Sequence, residues 1–212
     1  MVHIELFTFN SFMVNTYVLY DETGEAVIVD AACYEPFEKQ GLSDFIADAG
    51  LKVVRNIYTH CHIDHILGTG YVFQKYGVRP EYHKAGIPFF DQAKDIGFNF
   101  GYTLDEFPET LGYFEDGDQI RFGMCALQVL YTPGHADGSV CFYHPDDGFV
   151  ITGDVLFKDT IGRTDLPTGD FEILRENIIT KLFTLPDDTI VYPGHGPATT
   201  IGYEKENNEF IK

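Results

Sequence analysis

The stretch Thr59-His60-Cys61-His62-Ile63-Asp64-His65 places three imidazoles and one carboxylate along a single short segment. Residues two apart on an extended chain face the same way, so His60 and His62 are set to grip one ion together. If the chain then turns into a helix, Asp64 and His65 point to a second position nearby. Imidazole and carboxylate ligands suit zinc, iron or manganese rather than calcium. A lone histidine would pass as an ordinary buried side chain; this cluster reads as a metal-binding loop.

The surrounding pattern explains how such a loop is held. Val53, Val54, Ile57 and Tyr58 read as a short buried strand, and Ile66 to Tyr76 as a helix that Gly77 stops. Three other strands end in a similar way. The alternation of Leu127, Val129 and Tyr131 leads into Thr132-Pro133-Gly134-His135. The run Phe149 to Thr152 leads into Gly153-Asp154, and Thr189 to Tyr192 into Pro193-Gly194-His195-Gly196. Glycine and Gly-Pro corners let the backbone bend tightly at these points. Strand ends on one rim of a sheet would bring all four together, with five of the eight histidines in one site. His3 reads as solvent-facing, and His83 and His144 as structural. Asp30 ends the apolar strand Ala26 to Val29, and a carboxyl group there needs partners. It either orients a metal ligand from behind or caps a loop.

The other segments supply the frame. Val2, Ile4 and Leu6 alternate with polar residues, and Asn15 to Tyr20 forms a hairpin with Ala26 to Val29. Leu42, Phe45, Ile46 and Ala49 follow helical spacing up to Gly50. Strands alternating with helices predict helices that cover sheet faces. Residues 77 to 115 show weak periodicity; they read as an insertion over the sheet edge or a lid, helical from Ile87 to Ile96. Asp170 is placed to cap a helix with Phe171, Leu174, Ile178 and Leu182 on one face. With no repeat, linker or low-complexity tract, residues 1 to 212 read as one domain.

Composition narrows the function. The net charge of -19 argues against nonspecific nucleic-acid binding and against an anionic membrane as partner. Cys33, Cys61, Cys125 and Cys141 show no paired spacing and read as reduced thiols of a cytoplasmic protein. Neither a signal-peptide pattern nor an apolar run of membrane-spanning length is apparent.

The ligand pattern H-x-H-x-D-H, followed by distant His, Asp and His, resembles that of the metallo-β-lactamase-fold hydrolases. Within that superfamily the chain is similar to the short glyoxalase II-like, or hydroxyacylglutathione hydrolase-like, subgroup. The stretches that carry this likeness are Thr132 to His135, Gly153 to Phe157, Ile161 to Pro167, Pro193 to Pro197 and Thr199 to Gly202. The resemblance implies an α/β fold, the four-layer αββα sandwich, with the site along one edge. It also implies two divalent metal ions, zinc first in line and iron or manganese as alternatives. One ion would be held by His60, His62 and His135, the other by Asp64, His65 and His195, with Asp154 as the bridge. Asp64 and Asp154 would then be the catalytic carboxylates, beside a hydroxide made nucleophilic by both cations.

A thiolate leaves readily, so a small-molecule thioester suits a site with no obvious strong general acid. No G-x-S-x-G elbow offers a serine instead. Hydroxyacyl-glutathione is the substrate that the resemblance implies. The long C-terminal helical domain of full-length glyoxalase II enzymes has no counterpart here, which leaves the thiol carrier open. Arg163 either binds a substrate carboxylate or pairs with Asp165 to hold its loop. Two alternatives share the same ligands: a mononuclear-iron persulfide dioxygenase, whose group also carries a Gly-Arg-Thr-Asp stretch, and a lactone or ester hydrolase.

Overall fold

Strands that are apolar without interruption belong in sheets covered on both faces. The computed structural model of the chain, which describes residues 1–211, contains two six-stranded sheets. The first runs β1 (His3–Phe9), β2 (Val14–Tyr20), β3 (Glu25–Val29), β4 (Lys52–Ile57), β5 (Pro80–His83) and β6 (Gly112–Phe114). The second runs β14 (Thr199–Thr200), β13 (Ile190–Pro193), β10 (Phe149–Gly153), β9 (Val140–His144), β8 (Cys125–Tyr131) and β7 (Gln119–Phe122). A small hairpin, β11 (Leu156–Phe157) with β12 (Thr160–Ile161), stands apart.

The two-residue period of the strands sorts their side chains between layers. Tyr17, Leu19, Val27 and Val29 meet Val129, Val140, Phe142 and Ile151 between the sheets. Val18 and Ile28, at the alternate positions, belong to a second cluster with Leu42 and Ile46 of α1 (Pro36–Asp48). On the other outer face, Cys141 and Val150 pack with Leu174 of α6 (Phe171–Asn177), Ile178 and Leu182. The layers are therefore helix, sheet, sheet, helix, the expected sandwich. Leu19 is fully buried in the middle, where truncation to alanine costs about 2–5 kcal/mol.

Three elements differ from the sequence reading. The helix expected from Ile66 to Tyr76 is two: α2 (Ile63–Ile66) and α3 (Thr69–Tyr76). Gly68 breaks it, donating its N–H to the Ala31 carbonyl at 2.8 Å. A side chain there would press on Cys33, with its Cβ only 2.7 Å from Sγ. Gly77 ends α3 as expected, in the left-handed conformation at φ 73°.

Residues 77–115 extend the first sheet. The helical stretch expected from Ile87 to Ile96 is present, with Phe89, Ile96 and Phe100 bordering the same cleft as His62 and His195. The segment supplies β5 and β6, both parallel to their neighbours, with α4 (Ile87–Asp91) and α5 (Ala93–Asn99) between. Strands this short carry too few residues to display a period. Finally, α6 continues into a π-helical turn at Ile178–Leu182, and Phe171 stays 38% exposed while Leu174, Ile178 and Leu182 are buried. Among the described residues no helix is long and apolar enough to cross a membrane.

Candidate metal centre

The loops that follow β4, β8, β10 and β13 meet where the edges of both sheets are sewn together. Val140 N–H donates to the Thr59 carbonyl at 2.8 Å, and Asn15 N–H to the Gly194 carbonyl at 2.7 Å. The Tyr17 hydroxyl donates to the Pro193 carbonyl at 2.6 Å. Into this seam the first sheet delivers His60, His62, Asp64 and His65; the second delivers His135, Asp154 and His195.

Their ligand atoms fall into three sets, each lying within 4.8 Å: His60, His62, His135; His60, His65, Asp154; and Asp64, His65, His195. Every set draws on both sheets. Asp154 lies at the centre. Its Oδ1 is 3.3 Å from His65 Nε2, and its Oδ2 is 3.6 Å from His135 Nε2 and 3.5 Å from His195 Nε2. Asp64 Oδ2 stands 3.7 Å from His65 Nε2 and 3.5 Å from His195 Nε2.

The far side of each ring shows which nitrogen carries the proton. A carboxylate or carbonyl oxygen only accepts, so a ring nitrogen bonded to one must be N–H. His65 Nδ1 donates to Asp30 Oδ2 at 3.0 Å, and His135 Nδ1 to the Arg163 carbonyl at 2.8 Å. His195 Nδ1 faces the carbonyls of Phe12 and Met13 at 3.0 and 3.2 Å. The Thr59 hydroxyl donates to Asp30 Oδ2 at 2.6 Å, which leaves its oxygen to accept from His60 Nδ1 at 3.2 Å. With one proton on each ring, these contacts would place it on the outer nitrogen and turn Nε2 of four rings toward the centre. His62 turns Nδ1 inward, 2.9 Å from His135 Nε2.

Charge and burial at the centre favour a cation. Burial holds the His60 imidazole well below its ordinary pKa and brings His62 down to about 4, with neighbouring rings adding to the effect. Burial opposes a charge on His65 and His195 as well. The carboxylates of Asp154 and Asp64 outweigh it there, raising His65 well above its ordinary value and His195 to about 9. Burial likewise works against ionised Asp154, but His65 and His195 hold its carboxyl well below the usual range.

His60 Nε2, His65 Nε2 and Asp154 Oδ1 are buried without a hydrogen-bond partner. Each such orphan costs about 1–3 kcal/mol, and three aimed at one place call for an ion. The donor set fits divalent cations that take nitrogen and oxygen ligands. Gly194 makes the approach feasible: a Cβ there would collide with Asp154 Oδ1 and stand 2.8 Å from His65 Cε1.

The seven residues singled out by spacing are therefore brought together. Asp30 lies behind them, taking Thr59 N–H at 2.7 Å as well as the two bonds above. Arg163 lies at the rim with its guanidinium paired to both Asp165 oxygens, at 2.7 and 2.8 Å. His83 stacks on Tyr131, His144 on Phe149 and His3 on Tyr20, all outside the ligand sets.

Two asparagines escaped the sequence reading. Asn10 Nδ2 donates to the Asp64 and Ala32 carbonyls, both at 3.0 Å. Asn15 Nδ2 holds the Pro193 and Gly196 carbonyls, at 3.0 and 2.9 Å, on either side of His195. Only the turn-forming residue types near Asn10 hinted at a role, and nothing local marked Asn15.

The family model of the metallo-β-lactamase superfamily matches residues 10–195. The hydroxyacylglutathione hydrolase GloC of Haemophilus influenzae is 32% identical over 217 residues, covering 99% of this chain and 98% of its own. Among solved structures, the B3 metallo-β-lactamase BLEG-1 superposes with a TM-score of 0.90 at 31% identity, covering 99% of this chain and 100% of its own. TTHA1623, in a di-iron-bound form, gives a TM-score of 0.86 at 30% identity, over 97% of this chain and 99% of its own. Since the matched span runs from the first loop that braces the centre to its last histidine, the chain belongs to the metallo-β-lactamase superfamily.

Proposed function

We propose that the protein is a hydrolase with two divalent ions that cleaves hydroxyacyl-glutathione or a related thioester. His60, His62 and His135 would hold one ion and Asp64, His65 and His195 the other, with Asp154 shared. The observation that carries this reading is the position of Asp154, whose carboxylate lies within 3.6 Å of His135 on one side and of His65 and His195 on the other. When bound, such ions supply Lewis acidity, making water nucleophilic near neutral pH and drawing charge off a carbonyl oxygen.

The chain's own groups do the rest. Asp64 lies on the floor of a cleft, where its carboxylate would help hold the second ion and orient the attacking water. With ions bound, Asp30, the Arg163 carbonyl and the carbonyls of Phe12 and Met13 would hold the one remaining proton of His65, His135 and His195 on the outer nitrogen. Among the described residues no unpaired Lys or Arg lines the cleft to protonate a leaving group, which suits a thiolate. The similarity to a relative named hydroxyacylglutathione hydrolase over nearly the whole chain supports the thioester. Zinc and iron both remain in keeping with the donor set, the second because TTHA1623 is described with two irons.

A cyclic amide or lactone is the second reading, favoured by the likeness to BLEG-1. The test pairs elemental analysis with a substrate panel: S-lactoylglutathione, a small lactone, a β-lactam, and a glutathione persulfide with oxygen uptake recorded. Two ions per chain and turnover of the thioester are expected. Turnover confined to the lactone or lactam would transfer the assignment to a ring-opening hydrolase. Oxygen uptake with one iron would transfer it to the dioxygenase alternative.

A further inference from the structure

The cleft above the candidate centre has a volume of about 470 Å³, within the range of small-molecule sites. Its floor is polar, formed by His62, Asp64 and His195. Its walls are not. Phe12, Ile63, Phe89, Ile96, Phe100 and Leu166 come from separate segments of the chain and line it with aromatic and aliphatic surface.

The walls are tied to one another. Phe12 meets Phe100 edge-on at 5.7 Å, and Ser11 Oγ bonds Tyr102 Oη at 2.6 Å, joining the β1–β2 loop to the segment after α5. Phe100 nevertheless remains 59% exposed, and Phe12 36%. Apolar side chains left open to water beside a polar floor are what an apolar ligand arm would cover.

Among the described residues, Arg163 is the one Lys or Arg that lines the cleft, and it is paired with Asp165. Arg163 gives two parallel hydrogen bonds to Asp165, a geometry that uses the guanidinium fork for an internal carboxylate. A glutathione arm carries two carboxylates and a charged amine, and among the described residues the walls offer no Lys or Arg without a carboxylate partner.

We infer that the substrate carries an uncharged, apolar arm of about aromatic-ring size, seated against Phe12, Phe89, Phe100 and Leu166, in preference to a glutathione arm. The inference rests on the proposed thioester reading only for the bond that is cut; the seating of the arm follows from the cleft.

The test compares two non-hydrolysable thioethers that share a 2-hydroxypropyl group, one made on benzyl thiol and the other on glutathione. Calorimetry on the metal-loaded protein is expected to find the benzyl probe bound at least about tenfold more tightly. Phe100→Ser and Leu166→Ser, both at partly exposed positions, should each lower that ratio by roughly threefold or more. Equal or tighter binding of the glutathione probe, or a ratio unmoved in both variants, would overturn the inference.

Turnover of the matched lactoyl thioesters of the same two thiols separates the inference from the reading beneath it. If neither is cleaved while the benzyl probe keeps its advantage, the thioester reading fails and the apolar arm stands. If both are cleaved with glutathione favoured in turnover and in binding, the thioester reading stands and the apolar arm fails.

Discussion

Asp30→Asn tests whether one buried side chain sets the proton positions of His65 and, through Thr59, of His60. Asp30 is 1% exposed and accepts three hydrogen bonds: Thr59 N–H at 2.7 Å, Thr59 O–H at 2.6 Å and His65 Nδ1–H at 3.0 Å. Its backbone is left-handed, at φ 54°, a conformation that asparagine tolerates as well as aspartate does. The substitution therefore changes one acceptor into a donor without disturbing the chain. With the amide nitrogen toward Thr59 N–H, two buried donors face each other. With the amide reversed, the nitrogen faces His65 Nδ1 and drives that ring's proton to Nε2, the atom aimed at the centre.

The first arrangement costs about 1–3 kcal/mol of stability for a buried unpaired donor. The second lowers metal affinity about 10–100-fold, the usual effect of losing the partner behind a ligating histidine. Competition against a chromogenic chelator measures the affinity, and urea unfolding of the chelator-treated protein measures the stability. Affinity and unfolding midpoint both unchanged in Asp30→Asn would refute the reasoning, because neither arrangement leaves both intact.

Asp154→Ala is expected to abolish turnover and to bring bound metal below two ions per chain by elemental analysis; near-normal turnover with both ions retained would count against a shared carboxylate. Gly194→Ala drives a methyl group onto Asp154 and the His65 ring, so metal affinity should fall and stability drop by about 1–3 kcal/mol, read by chelator competition and urea. Removing metal by dialysis against a chelator should lower the thermal midpoint, since an ion at a hundred times its dissociation constant stabilises the folded chain by about 2.7 kcal/mol per site. Asp21 is buried at 2% exposure; burial opposes its charge, but bonds from Thr23 and the Met124 N–H hold its carboxyl below the ordinary value. Its contribution should be complete above about pH 3.9 and be lost as pH falls through the lowered folded value, so urea midpoints of wild type and Asp21→Asn should converge only in that acid range.

Most of the frame was legible because strand length and two-sided burial write themselves into the chain. Val18 and Ile28 between Tyr17, Leu19, Val27 and Val29 make continuous apolar runs only because helices cover one face and a sheet the other. The ligand loops were legible for a related reason: each follows directly on a strand with a readable apolar pattern. What escaped was decided by contacts distant in sequence. Gly68 interrupts a good helical pattern where its N–H is taken by the Ala31 carbonyl, 37 residues away, and no side chain fits beside Cys33. β5 and β6 exist because a neighbouring strand edge captures them, and their own four and three residues say little. Asn15 reaches the carbonyls beside His195 across a separation of 178 and 181 residues, which no local window can register.

The same loops that wall the cleft also hold the candidate ligands. The Phe12 ring lines the cleft while its carbonyl accepts the His195 proton; the Arg163 carbonyl does the same for His135 beside Leu166. Phe89 packs edge-on against the His62 ring at 5.2 Å. An arm seated on these walls therefore presses on the groups that fix ring orientation, and a mutation at Phe12 or Phe89 would confound a lost contact with a displaced ligand. Leu166 borders the same space without a ring contact to a ligand, whereas Phe100 meets Phe12 edge-on at 5.7 Å, so a shift shared by changes at both positions reports on the arm. Specificity and metal geometry are in this way built from one set of loops but remain separable by experiment at these two residues.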